Sequence, residues 1–103
     1  MATRSVIKVE GFNTAQLYKH WDGYPSATLP WLQKFNNQFT ETRGEDPSYK
    51  FAQLIRSSVF MKDEFGLDDS TDSGWGLIGY DDNCGQEYEY TLHTDGSVSY
   101  VYK

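Results

Sequence analysis

Tyr88-Glu89-Tyr90-Thr91-Leu92-His93-Thr94-Asp95-Gly96-Ser97-Val98-Ser99-Tyr100-Val101-Tyr102 is the stretch on which the fold turns. Aromatic and aliphatic residues alternate with polar ones on both sides of Thr94-Asp95-Gly96, the period of a strand on each side of a turn. A three-residue type I turn with Gly96 in the left-handed bulge position sets Leu92 opposite Val98, Tyr90 opposite Tyr100 and Tyr88 opposite Tyr102. A two-residue Asp-Gly turn would pair Tyr90 with Val101 and scatter the tyrosines. Cross-strand aromatic pairs stabilise a hairpin, so the longer loop is expected.

Working back from this hairpin, Asp81 to Gln86 is an acidic loop carrying Cys84, and Trp75 to Tyr80 has strand character. Asp68 to Gly74 lacks both periodicity and apolar content and reads as a surface loop. Asp46-Pro47 is a helix start, with Phe51, Leu54, Ile55, Ser58 and Val59 on one face and Gly66-Leu67 as a Schellman-type ending. An earlier helix begins with Thr28 as N-cap and Pro30 in its first turn. It carries Trp31, Leu32, Phe35 and Phe39 at three- and four-residue spacing and ends near Thr42, with Gly44 reversing the chain. Val6, Ile7 and Val9 mark a first strand and Ala15 to Trp21 a second, joined near Gly11-Phe12-Asn13. Asp22-Gly23 closes the second strand, with Gly23 suited to a positive φ. The order is ββααβββ. We expect an α+β fold with an antiparallel sheet of about five strands and two helices packed on one face, as a single domain over residues 1–103.

The net charge of -6 is unevenly spread. Residues 1–62 carry eight Lys/Arg against five Asp/Glu, whereas residues 63–103 carry Lys103 against ten Asp/Glu. A segment at -9 repels phosphate and favours cationic surfaces, which argues against direct nucleic-acid binding. An acidic face kept for solubility is the plain alternative. Met1 to Lys8 lack the apolar core of a secretory signal, and no run approaches the ~18 apolar residues of a membrane span. Cys84 is the single cysteine, so a reducing cytoplasm is the expected setting and an internal disulfide framework is excluded.

Standard catalytic chemistry finds little foothold. Cys84 could act as a nucleophile if His20 or His93 reached it, but Asp81, Asp82 and Glu87 would raise its pKa. An EF-hand loop starting at Asp68 would need Gly and Glu where Ser73 and Gly79 stand. No P-loop, dinucleotide fingerprint, H-E-x-x-H or nucleophile elbow is present. Glu87 and Glu89 share one strand face, where they fit a solvated surface better than an acid-base pair. We therefore expect no enzyme activity, no cofactor and no metal. Tyr88, Tyr90, Tyr100 and Tyr102 form either the inner face of the sheet or an exposed partner platform. The last strand, an unprotected edge, is a candidate to pair with a second copy of the chain.

Met1-Ala2-Thr3-Arg4-Ser5 together with Leu17-Tyr18-Lys19-His20-Trp21-Asp22-Gly23-Tyr24-Pro25 resembles a widespread family of small proteins of bacteriophages, prophages and bacteria. The resemblance covers about the first quarter of the chain and implies a phage or mobile-element setting rather than a reaction. His20, Trp21, Asp22 and Tyr24 either brace the Asp-Gly turn or line a small pocket for a nucleotide or metabolite. The expectation drawn from charge and setting is an accessory protein that inhibits a host defence system, an anti-CRISPR among the options. It would bind stoichiometrically to a basic, nucleic-acid-binding host protein in the cytoplasm. Asp63, Glu64, Asp68, Asp69, Asp72, Asp81, Asp82, Glu87 and Glu89 would then stand in for phosphates opposite Lys and Arg.

Overall fold

The structure, a computed structural model, describes residues 3–58 and 74–102. It contains β1 (Ser5–Val9), β2 (Phe12–Lys19), α1 (Pro25–Arg43), α2 (Pro47–Ser58), β3 (Trp75–Gly79), β4 (Tyr88–Leu92) and β5 (Val98–Tyr102). Class and element order are those expected. Val59, the Gly66-Leu67 ending, and the acidic positions Asp63, Glu64, Asp68, Asp69 and Asp72 lie outside the described residues.

The five strands form one sheet in the order β3-β2-β1-β4-β5. The β4–β5 hairpin has the expected register, Leu92 with Val98, Tyr90 with Tyr100 and Tyr88 with Tyr102. Gly96 takes φ +96°, and the N–H of His93 donates to the carbonyl of Ser97 at 2.9 Å to close the turn. One pairing departs from a wholly antiparallel sheet: β1 and β4 run parallel, Ser5 beside Tyr88 through Val9 beside Leu92. The sheet is mixed because β3 joins β2 antiparallel and residues 80–87 then cross back to start β4 in the direction of β1. Both parallel strands are central, where parallel pairing is ordinarily found.

Three boundaries also move. The first hairpin turns at Glu10-Gly11, with Val9 beside Phe12, so β2 starts at Phe12 and ends at Lys19 rather than spanning Ala15 to Trp21. Gly11 at φ +92° occupies the second turn position, the geometry of a type II turn. Helix α1 starts at Pro25, not after Thr28, because Pro25 is already set for the first helical position. Pro30 therefore lies inside the helix, on its exposed side. At Asp22-Gly23 the positive φ, 56°, falls on Asp22 and not on Gly23.

Both helices lie on one face of the sheet. Leu32 of α1 and Phe51 and Leu54 of α2 pack with Ile7, Val9, Leu17, Tyr90 and Leu92, all buried. Each such side chain contributes about 1.5–3 kcal/mol relative to exposure, so this layer is the main source of stability. Phe12 stacks on Phe51 at 4.8 Å, and Trp31 meets Trp75 edge to face at 5.7 Å while donating its indole N–H to Ser57 Oγ. Among the described residues, the crossover of residues 80–87 is tied to the opposite face. Gln16 Nε2 donates to the carbonyls of Gly79 and Asp82, and Lys8 stands over the Tyr80 ring at 4.5 Å.

Candidate functional site

The crossover loop and the start of β4 gather four of the nine acidic residues singled out in the sequence. Asp81 and Asp82 are exposed, and Glu87 and Glu89 are half-buried. Local bonds shape the loop. The Asp82 carboxylate accepts from the Gly79 N–H at 3.0 Å, Asn83 Oδ1 from the Gly85 N–H at 2.9 Å, and Gln86 Oε1 from the Cys84 N–H at 3.0 Å. Glu89 is held differently. It lies 3.7 Å from the Lys8 ammonium and accepts from Gln86 Nε2, so part of its charge is balanced within the chain. Glu87 precedes β4 rather than sharing its face, and its N–H donates to the Arg4 carbonyl. Lys8, Tyr80, Asp81, Asp82, Asn83, Gln86 and Glu89 enclose a polar recess of about 270 Å³ between loop and sheet.

Cys84 sits in this loop with its polar contacts on Gln86; its S–H lies 3.6 Å from Gln86 Oε1. Burial raises its thiol pKa, and Asp82 adds to this against the pull of Arg4, so the thiolate needed for nucleophilic attack is disfavoured. Neither histidine is engaged with it. His20 Nδ1 pairs with the Tyr18 hydroxyl at 2.6 Å, and His93 pairs with Ser99 Oγ through Nε2 and faces Glu10 through Nδ1. Among the described residues no group of three or more His, Cys, Asp or Glu is placed to hold a metal ion.

The His20-Trp21-Asp22-Gly23-Tyr24 segment is a crossing between β2 and α1 in which the carbonyl oxygens of Trp21, Asp22 and Gly23 are taken by side chains of the same chain. The buried Lys19 ammonium donates to the carbonyls of Trp21 and Asp22. Thr28 Oγ1 donates to the Asp22 carbonyl at 2.8 Å, and the buried Tyr90 hydroxyl to that of Gly23 at 2.6 Å. The Gly23 N–H donates in turn to Thr3, and a Cβ at Gly23 would stand 2.7 Å from both the Ser5 Cβ and the Thr3 carbonyl. Asp22 thus earns its place through its backbone, and Gly23 by close approach. The side chains of His20 and Trp21 contact each other edge to face at 4.8 Å, and Trp21 and Tyr24 keep exposed faces.

Sequence reasoning missed the buried polar anchors. Lys19, Lys50, Gln16 and Asn36 are all buried, and each donates to backbone carbonyls of a turn or connection. Burial lowers the pKa of Lys19 against the pull of Asp22, and that of Lys50 against Glu10, Glu45 and Asp95. Asn36 of α1 bonds the carbonyls of His93 and Ser97, and Lys50 of α2 that of His93, so both helices grip the β4–β5 turn. For Asn36 and Lys50 the visible signal was a polar residue on the buried, apolar stripe of a helix. A second recess of about 420 Å³ opens between the helices, lined by Phe35, Phe39, Tyr49 and Arg43, whose guanidinium stacks on Tyr49 at 3.9 Å.

The tyrosine ladder divides across the hairpin. Tyr90 is fully buried, Tyr88 half-buried, and Tyr100 and Tyr102 are 44% and 70% exposed. The inner-face reading thus holds for Tyr90 on β4, while Tyr100 and Tyr102 on β5 keep exposed rings. No helix among the described residues is long and apolar enough to cross a membrane. No protein-family model, curated protein or solved structure matches the chain.

Proposed function

We propose that this protein works by stoichiometric binding of a cationic protein partner through the acidic residues that follow its helices, as an accessory inhibitor of a host defence system would. The observation that carries this reading is the crossover loop. Its shape is maintained by Asp82, Asn83, Gln86 and backbone groups, which leaves the Asp81 carboxylate unengaged among the described residues and both Asp81 and Asp82 exposed on one side of the sheet away from both helices. Exposed carboxylates held on a tied loop can meet Lys and Arg without a large ordering cost. The excess of nine negative charges over residues 63–103 makes the same region repel nucleic acid and attract proteins that bind it. The phage setting, and an anti-CRISPR role within it, rest on the resemblance of the first quarter of the chain.

The test is capture of a partner from host extract on immobilised protein at low and high salt. A parallel bait carries Asp68→Asn, Asp69→Asn, Asp72→Asn, Asp81→Asn and Asp82→Asn. The expected partner is a basic, nucleic-acid-binding protein recovered at low salt, released by high salt and lost on the neutralised bait. Equal recovery on both baits would rule this function out.

A further inference from the structure

We propose that the outer edge of β5 pairs antiparallel with the same edge of a second copy, joining two sheets into one of ten strands about a two-fold axis at Tyr100. This stands independently of the acidic loop and its partner. The hairpin geometry fixes which backbone groups are free. The His93 N–H bonds the Ser97 carbonyl, so by the alternation of an antiparallel ladder the pairs Thr91–Ser99 and Glu89–Val101 carry the hydrogen bonds within the hairpin. Leu92, Tyr90 and Tyr88 turn their backbone groups toward β1 instead; the Leu92 carbonyl accepts from Glu10 and the Tyr88 N–H donates to Arg4. Across the hairpin, Val98, Tyr100 and Tyr102 therefore aim their N–H and C=O groups outward from the sheet.

Those outward groups lie on alternate residues of a five-residue strand with no charge, no proline and no bulge, features that otherwise blunt an edge. In a chain of net charge -6 this is a segment where two copies meet with little direct repulsion. The spacing is self-complementary. A two-fold at Tyr100 sets Tyr100 against Tyr100 of the second copy and Val98 against Tyr102 of the second copy, and each pair bonds through the outward groups. Ser99 then faces Val101 of the second copy, so each face of the joined sheet keeps its own residues.

The second copy also accounts for the exposed rings. Helix α1 covers β5 near its turn, where Asn36 reaches the carbonyls of His93 and Ser97, and leaves the far end bare. That bare end holds Tyr100, Val101 and Tyr102, at 44%, 56% and 70% exposure. The two-fold brings the covered end of one copy beside the bare end of the other. Covering these side chains and the strand backbone buries on the order of 1,000 Å² in total, the low end for a specific interface. A reversible, concentration-dependent dimer is the consequence, and a two-fold pairing of like edges closes instead of growing into a fibre.

Amide hydrogen exchange by NMR on the whole chain, between about 10 µM and about 1 mM, reads this residue by residue in the range where weak association is populated. The amides of Ser99 and Val101 should be protected at every concentration, whereas those of Tyr100 and Tyr102 should slow several-fold as concentration rises. Sedimentation should show the average mass climbing toward twice that of the monomer. Tyr100→Pro removes the central outward donor without touching the bonds to β4, and Tyr100→Ala removes the ring but keeps the donor. The proline variant should stay monomeric throughout, while the alanine variant still associates. Fast exchange at Tyr100 and Tyr102 at all concentrations, with a monomeric mass throughout, would overturn the proposal and leave the edge to a strand from another protein. Concentration-dependent dimers of Tyr100→Pro equal to those of the parent would place the contact elsewhere.

Discussion

Two Asp- and Gly-containing connections look alike as sequence and differ in what they bury and what they expose. In the crossing from β2 to α1, the carbonyls of Trp21, Asp22 and Gly23 are held by Lys19, Thr28 and Tyr90, the last from 67 residues away. In the crossover from β3 to β4, Asp82, Asn83 and Gln86 accept from backbone N–H groups two or three residues away. The first connection turns its polar groups inward and joins the core. The second orders its own backbone through these side chains, is anchored to the sheet by Gln16 at the Gly79 and Asp82 carbonyls, and leaves the Asp81 carboxylate exposed. A connection of the first kind is part of stability, and one of the second kind is open to a partner.

Substitutions in the first connection should therefore be costly, Gly23→Ala most of all. The new Cβ meets Ser5 and the Thr3 backbone at 2.7 Å, and neither is the free end of a flexible side chain. Strain of this kind costs about 3 kcal/mol, read as a drop in the urea midpoint at unchanged slope. A loss below about 0.5 kcal/mol, the range of surface substitutions, would mean that the crossing is not packed as described.

Tyr90→Phe comes next. It removes the hydroxyl that satisfies the Gly23 carbonyl and keeps the ring against Tyr100 at 5.6 Å. Leaving a buried carbonyl unpaired costs about 1–3 kcal/mol, measured by the same denaturation curves. The companion Tyr100→Phe, at an exposed position, should cost little, which separates the loss of a hydroxyl from the loss of a buried bond.

What the sequence disclosed follows the same division. The β4–β5 register was legible because turn residues and aromatic pairing act between near neighbours, and the start of α2 because Asp46-Pro47 is a local signal. The parallel pairing of β1 with β4 was not, since strands some eighty residues apart leave no turn signature. That one pairing also hid the fate of Glu89. It brings Val6 beside Glu89 and so sets Lys8 within reach, turning a residue read as solvated into one half of an ion pair. Lys19 was hidden for a different reason: its partners, the Trp21 and Asp22 carbonyls, are only two and three residues away, but a lysine at a strand end reads as solvated.

Lys19 gives a smaller effect with a definite sign. Burial lowers its folded pKa below the ordinary 10.5, so between the two values the unfolded chain holds more protons. Stability supported by Lys19 must then rise as pH climbs through that window and level off above the unfolded value. Lys19→Met abolishes this rise. The gap between parent and variant, followed by denaturation at successive pH values from neutral upward, should move in favour of the parent. A pH-independent gap would mean that the ammonium is solvated after all. Lys50 shifts the same way and is common to both proteins, so it cancels in the difference.

The smallest effect tests the second connection. Asp81 is exposed and, among the described residues, takes part in no hydrogen bond or ion pair, so Asp81→Asn should change stability by less than about 0.5 kcal/mol. Asp82→Asn should cost slightly more, because its carboxylate accepts the Gly79 N–H at 3.0 Å, an exposed bond that an amide oxygen replaces in part. If Asp81→Asn instead stabilises the protein measurably, the carboxylate was repelled in place by its acidic neighbours. Repulsion of that kind is what a cationic partner would relieve on binding, so the sign of the change bears on the proposed contact.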